Sequence, residues 1–288
     1  MTNISIVIPA KNEASNLKEW LPRLVAWGGY RELIVVDDGS NDNTAGVAAE
    51  LGAKVIRHNK SLGNGAAIKR GFREASGDII VFMDADGQHQ PEDIPRLLNE
   101  MESKEADMVV GARDSSGQAS IWRRLANSFY NWFASLVSGQ KIEDLTSGYR
   151  VVKAEKFGQF LNLLPNGFSY PTTSTMAFFR SGYLVSYVRI DVKKRLGASH
   201  IKPLKDGARF LIIIFKVATL YSPLKVFLPI SALFFILGLC RYMYTYFVMG
   251  SFTNMSALLM VTSVQVFLIG LVSEQITTLL YQPRDKSW

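Results

Sequence analysis

Short runs of consecutive apolar, often β-branched residues alternate with stretches of helical spacing through the first part of the chain. The runs are Ile4–Pro9, Glu32–Val36, Ala53–Arg57, Asp78–Met83 and Asp107–Gly111. Between the first two, Leu17, Trp20, Leu21, Leu24 and Val25 recur as on one face of a helix over Ser15–Trp27, with Ser15 or Asn16 as its cap. Asn43–Leu51, Gly65–Ala75 and Pro91–Glu102 read as further helices. Strands without polar alternation, separated by helices, predict a mostly parallel sheet covered on both faces. Residues 115–139 read as a partly amphipathic helix with Arg123 and Arg124 in its first half, Asp144–Arg150 as a turn-rich segment, and Gly182–Arg195 as strand and loop.

Beyond Arg209 and Phe210 the pattern changes. Val226–Cys240 carries no charge and continues through Arg241 and an aromatic stretch to Met249, and Met255–Ser273 is a second uncharged run of 19 residues. Each is long enough to cross a bilayer at about 1.5 Å per residue, and Gly250–Asn254 joins them as a hairpin. Arg241 can snorkel from the outer end. The alternative, a pair of buried core helices, is disfavoured by length. Basic residues lie before the hairpin (Lys193, Lys194, Arg195, Lys202, Lys205, Arg209, Lys216, Lys225) and after it (Arg284, Lys286), with none in the connecting loop. Basic residues favour the cytoplasmic side, so both ends are expected there. Phe210–Tyr221 is too short to span and reads as an interfacial helix. The expected organisation is therefore a cytosolic domain over 1–208, an interfacial helix over 209–223, and a membrane hairpin over 224–288 with spans near 226–249 and 255–277.

The net charge of +7 is accounted for by this basic flank facing anionic headgroups. No aromatic–basic platform points to nucleic acid. The single cysteine, Cys240, excludes a disulfide framework within one chain. The N-terminus starts in a strand pattern without signal-peptide features.

Polar residues follow several strands at the edge where open α/β sheets bind ligands. Asp84-Ala85-Asp86 closes a buried strand, and carboxylates at alternate positions share a face. Oxygen ligands of this kind suit Mg²⁺ or Mn²⁺ carrying a diphosphate, with Gln88 and His89 as further candidates. A solvated turn is the plainer alternative. Asp37 and Asp38 end an earlier strand and can accept hydrogen bonds from a base or ribose, or cap the next helix. Asn12 and Glu13 are placed similarly. Lys60–Lys69 lacks the spacing of a nucleotide phosphate loop.

The segments PAKNE, VVDDGSNDNT, GDIIVFMDADGQHQPED and DLTSGYR, in this order, resemble family-2 inverting glycosyltransferases, and within them the dolichol- and polyprenyl-phosphate sugar synthases. The resemblance covers roughly residues 4–200. It implies an α/β fold of the Rossmann-like GT-A type, a UDP- or GDP-linked sugar donor, a divalent metal, and a polyprenyl phosphate acceptor (undecaprenyl or dolichyl). Pro9, Lys11, Asn12, Glu13, Asp37, Asp38, Asp84, Ala85 and Arg195 then fall in the donor site. Asp84, Asp86 and Gln88 would hold the metal. Arg113, Arg124 and Ser128 match positions near the acceptor phosphate, and Asp144 is the carboxylate beside it, as base or as an orienting group. Lys11 stands where an aromatic is frequent. KRLGASH resembles an R-x-x-G-x-S-K segment, with Lys194 at the arginine position by strict spacing and His200 in place of lysine. Gln118–Trp122 (QASIW) lacks the arginine of Q-x-x-R-W, which disfavours processive polymer synthesis.

The expectation is an integral membrane enzyme with its catalytic domain cytoplasmic, in a bacterial inner membrane, contacting membrane lipids and able to associate with copies of itself. A glycolipid or saccharide hydroxyl acceptor is the main alternative. A non-catalytic scaffold is the other.

Overall fold

In the computed structural model, residues 3–113, 121–167, 170–192, 215, 219 and 221–281 are described, and of 121–127 and 249 only the backbone. Seven strands form one sheet: β1 (Ile4–Ala10), β2 (Glu32–Asp37), β3 (Lys54–Arg57), β4 (Ile79–Phe82), β5 (Met108–Arg113), β6 (Arg150–Lys153) and β7 (Val185–Ile190). Their order is β3-β2-β1-β4-β6-β5-β7. The helices are α1 (Ala14–Trp27), α2 (Thr44–Glu50), α3 (Asn64–Glu74), α4 (Ile94–Ser103), α5 (Ile121–Ser138), α6 (Ala154–Gly158), α7 (Tyr170–Arg180), α8 (Pro223–Met249) and α9 (Asn254–Leu280). A 3₁₀ turn, Pro91–Asp93, leads into α4.

The period of two along each strand divides the core. Ile6 and Ile8 of β1, Leu33 and Val35 of β2, and Val81 of β4 pack with Leu17, Trp20, Leu21 and Leu24 of α1 and Leu97 of α4. Val7, Ile34, Val36, Ile80 and Phe82 point to the opposite layer, with Ile68 of α3, Phe157 of α6 and Phe178 of α7. Each such side chain removed fully from water contributes about 1.5–3 kcal/mol, so both faces of the sheet are strongly specified.

The sheet is mixed rather than all parallel. β6 runs antiparallel to both β4 and β5, pairing Val81 with Val151 and Val109 with Val151. The chain turns back through Asp144–Tyr149 and inserts Arg150–Lys153 between two parallel strands, so the turn-rich segment hangs beside the carboxyl end of β4. The first helix needs no side-chain cap from Ser15 or Asn16: it starts at Ala14 after Glu13, without a cap hydrogen bond.

The two C-terminal helices are 27 residues each, about 40 Å long, which exceeds a hydrocarbon core of about 30 Å. Only 17% of each apolar window is buried within the protein, unlike the core helix of a soluble fold. The buried positions of α9 are Ser256, Ser263, Gly270 and Thr277, seven residues apart. Small residues at this interval let α8 approach closely along a left-handed seam. Ser231 and Ser263 each donate a hydroxyl to the other's carbonyl at 2.9 Å. The expected interfacial helix over 209–223 lies largely outside the described residues.

The hairpin root is fastened to the sheet domain. Glu274 of α9 pairs with Arg180 of α7 at 2.8 Å and accepts the Leu224 N–H at the start of α8 at 3.3 Å. Lys225 donates to the Val137 carbonyl at 2.8 Å and Tyr221 to the Ser138 carbonyl at 3.0 Å, satisfying two of the open carbonyls at the end of α5.

Candidate active site

The loops after β1 and β2 lock together at the carboxyl edge of the sheet. Pro9 sits within β1 opposite Val36. Lys11 and Asn12 are exposed beyond it. The Asn12 N–H donates to Ser40 Oγ and its side-chain oxygen accepts the Asn41 N–H, at 2.9 and 2.8 Å. This pair of hydrogen bonds holds Asn12 at φ 55°. The Glu13 N–H donates to Thr44 Oγ1 at 2.9 Å.

Asp37 and Asp38 are both buried, and both act on their own loops. Asp37 accepts the Ser40 N–H at 2.9 Å and faces Arg57 Nε at 3.2 Å. Asp38 accepts His58 Nδ1, Ser61 Oγ, and the Leu62 and Gly63 N–H groups, all within 2.9 Å. Burial alone would raise its pKa; these four donors outweigh it and hold the carboxyl at about 2. With two donors on each oxygen, Asp38 organises residues 58–63. Gly39, at φ +70°, permits this: a Cβ there would lie 2.8 Å from the backbone of Lys60 and Ser61.

Asp84 and Asp86 follow β4 where its face opens. Asp86 Oδ1 accepts the Gln88 N–H at 3.1 Å. The Asp84 carboxylate, 35% exposed, lies directly against Gly148 of the returning loop: a Cβ on Gly148 would stand 2.6 Å from Asp84 Oδ2. His89 braces this turn. It is buried, stacks on Tyr149 with centroids 4.8 Å apart, and accepts the Asp84 N–H on Nδ1 at 3.2 Å. Burial draws its pKa down to about 4. With Nδ1 occupied by a backbone N–H, His89 serves the turn rather than a cation through that atom. Among the described residues no three His, Cys, Asp or Glu side chains form a metal cage. Two carboxylates with partial exposure do fit a cation that completes its shell with water and diphosphate oxygens, the usual habit of Mg²⁺.

Arg113, at the end of β5, pairs bidentately with Asp144: Nε to Oδ2 at 2.8 Å and Nη2 to Oδ1 at 3.0 Å. Asp144 also accepts the N–H groups of Arg113, Thr146 and Ser147 at 3.0–3.2 Å. Burial would raise the Asp144 pKa; Arg113 more than reverses this, and the carboxyl stays below its ordinary value. Burial would likewise lower the Arg113 pKa, and Asp144, with Asp84 and Asp86 behind it, raises it. As placed, Asp144 anchors the 144–149 loop and orients Arg113. Both of its oxygens accept hydrogen bonds in this arrangement.

Ser128 is exposed on α5. The Arg124 side chain and all of Arg195, with Lys194 and His200, lie outside the described residues. Three residues of the site were not singled out from the sequence, although Gly148 and Arg150 lie within the DLTSGYR segment. Asn131, one turn from Ser128, donates to the Glu143 carbonyl at 2.7 Å and accepts the Leu145 N–H at 3.1 Å, tying α5 to the loop. Arg150 is fully buried, and among the described residues no carboxylate bonds to it; it donates to the Ser147 and Leu145 carbonyls and to Ser174 and Thr175 hydroxyls. Gly148 provides the close approach of Asp84. Only Gly148, as a glycine between a serine and a tyrosine in a turn, carried a local signal.

The glycosyl transferase family 2 model matches residues 5–163, and a GtrB C-terminal hairpin model matches residues 222–279. The chain belongs to glycosyl transferase family 2. Among relatives, an undecaprenyl-phosphate 4-deoxy-4-formamido-L-arabinose transferase of Pectobacterium atrosepticum is 33% identical over 189 residues, covering 59% of this chain and 57% of that protein. A dolichol-phosphate mannosyltransferase of Pyrococcus furiosus is 43% identical over 120 residues, covering 40% of this chain and 34% of that protein. The chain thus matches little more than half the length of the first and a third of the second. In fold it is similar to glucosyl-3-phosphoglycerate synthase from Mycobacterium tuberculosis, crystallised with Mn²⁺, UDP-glucose and phosphoglyceric acid, with a TM-score of 0.61 at 22% identity, covering 75% of this chain and 78% of that one. The family-2 domain is therefore a GT-A-like mixed sheet, and the two apolar helices after it form the hairpin that the second model matches. Within that domain, every residue described above at the carboxyl edge lies inside the matched segment.

Proposed function

We propose that this family-2 protein transfers a sugar from a UDP- or GDP-linked donor to a polyprenyl phosphate at the cytosolic face of a membrane, with inversion. The observation that carries the reading is the fastening of a GT-A-like sheet, with Asp84 and Asp86 at its open edge, to a hairpin able to span a bilayer. The relatives named as undecaprenyl- and dolichol-phosphate transferases support the acceptor class. Residues 1–208 would be the catalytic domain, 209–223 an interfacial segment, and 224–288 the hairpin and its tail.

In this reading a non-bridging oxygen of the acceptor phosphate attacks the anomeric carbon. The bond from that carbon to the donor's distal phosphate oxygen breaks, and its electron pair leaves with the nucleoside diphosphate. The acceptor phosphate is already largely anionic, so the step needs alignment and charge neutralisation more than a strong base. That requirement agrees with an Asp144 locked to Arg113. Asp84 and Asp86, with Gln88, would hold Mg²⁺ or Mn²⁺, which supplies positive charge to the diphosphate as it departs. Pro9, Lys11, Asn12, Glu13, Asp37, Asp38 and Ala85 would frame the nucleoside, with the last carboxylate pair acting through the loops they hold. Arg195 would meet the donor phosphates, and Arg124 and Ser128 the acceptor phosphate, with Arg113 contributing charge from behind Asp144.

The test is transfer from a panel of radiolabelled UDP- and GDP-sugars to undecaprenyl phosphate in detergent, with and without Mg²⁺ or Mn²⁺. A metal-dependent lipid-linked product is expected. Donor binding without any polyprenyl product would refute the acceptor and turn the search to glycolipid hydroxyls.

A further inference from the structure

A cavity of about 700 Å³ lies between the end of β3 and the outward face of α3, walled by Arg57, Lys60, Lys69, Arg70 and Arg73 and closed at one end by Asn166. None of the residues lining it is a carboxylate. Arg57 is paired to the buried Asp37 and Arg70 to Glu74, at 3.2 and 3.0 Å. That leaves Lys60, Lys69 and Arg73 with no ion pair among the described residues. Lys69 is held in place instead by neutral oxygens, the Leu164 carbonyl at 3.0 Å and Asn166 Oδ1 at 2.5 Å. Burial and the neighbouring Arg73 both disfavour its charge. Three cations gathered in one concavity repel one another unless an anion enters.

We propose that this cleft binds a phosphate-bearing anion of at least two negative charges, on the far side of the 57–63 loop that Asp37 and Asp38 hold, and apart from the positions of the donor diphosphate and the acceptor phosphate. Arginine supplies a planar fork for phosphate oxygens, and the two lysines supply point charges on flexible or tethered stems. Two sources share this chemistry: a bilayer headgroup or a soluble phosphate compound. The cleft opens in the layer to which the hairpin root attaches. Tyr281, at the end of α9, packs on Phe160 with centroids 6.3 Å apart, in the turn that continues to Leu164 and Asn166. The cleft and the hairpin root thus share one layer of the domain, which favours the headgroup source.

The test uses the full chain in nanodiscs and reads hydrogen exchange across residues 57–73. In phosphatidylcholine discs without divalent metal, inorganic pyrophosphate is titrated. In a second arm, phosphatidylglycerol replaces a third of the lipid and no pyrophosphate is added. Slowed exchange in either arm is expected, and the arm that responds names the source. The double variant Lys60→Glu/Arg73→Glu, altered only at exposed side chains, should weaken the response about tenfold or more while its thermal midpoint stays put. Asp86→Ala, which damages the proposed donor site, should leave the response intact. No protection in either arm, or equal protection in the double variant, overturns the proposal. Loss of the response in Asp86→Ala would make the cleft a lobe of the donor site and overturn its separateness.

Discussion

Replacing Asp144 by Asn separates two roles that a carboxylate at this position can have. Asn keeps the shape and one oxygen, so the N–H groups of Thr146 and Ser147 retain an acceptor at the Oδ1 position. What it cannot supply is the second oxygen, which accepts Arg113 Nε at 2.8 Å and the Arg113 N–H at 3.2 Å. An amide group there presents hydrogens to a guanidinium that is only 28% exposed. A hydrogen bond to a charged group contributes about 1.5–3 kcal/mol net, and breaking one side of a largely buried pair costs about 3–5 kcal/mol. Asp144→Asn should therefore destabilise the sheet domain by about 3–4 kcal/mol, measured by denaturant unfolding in detergent with the slope unchanged. Turnover should fall through misplacement of Arg113, with the pH–rate profile keeping its shape. Stability within 1 kcal/mol of the parent, together with loss of an acidic limb in the profile, would refute the anchoring argument and restore Asp144 as a base.

Gly148→Ala should cut metal-dependent transfer at least tenfold with a modest loss of stability, because its Cβ would displace Asp84 from 2.6 Å; normal turnover in a donor-saturated assay would contradict the placement of Asp84. For Asp38, the folded pKa of about 2 lies below its ordinary value of 3.8, so its stabilisation is complete above about pH 4 and is lost as pH falls through 2. Asp38→Asn should accordingly cost about 2 kcal/mol at pH 6 and almost nothing near pH 2, read from unfolding at both. Glu274→Gln weakens the joint with Arg180 and the bond to Leu224, and should lower transfer to undecaprenyl phosphate several-fold while UDP binding with metal stays unchanged; parallel losses in both would point to general unfolding.

Much of the sheet was legible because its strands are apolar on both faces and its helices carry one stripe. Leu17, Trp20, Leu21 and Leu24 identify α1 by spacing alone, and the two long apolar runs identify α8 and α9 to within a few residues. β6 was not legible: four residues, Arg150–Lys153, carry no strand signal, and their antiparallel insertion depends on neighbours far away in sequence. α7 was hidden for the opposite reason. Tyr170 and Thr172–Phe178 are buried all round, so PTTSTMAFF has no polar face to set a period. The pairing of aspartates with distant donors was equally unreadable. Asp38 meets residues 58–63 and Asp144 meets Arg113 across 31 positions, and only the folded chain decides whether such a carboxylate faces a ligand or its own backbone.

The fastening of the hairpin root gives the protein an unexpected place to be divided. Lys225 and Tyr221 close the carbonyl end of α5, and Glu274 closes both Arg180 and the first turn of α8. A shortened chain ending where the sheet domain meets the hairpin would leave one helix frayed and one guanidinium unmatched. A chimera grafting the hairpin of another family member would transplant the wrong seam unless Val137, Ser138 and Arg180 travelled with it. The unit that can be exchanged is a helix pair plus its sockets on α5 and α7.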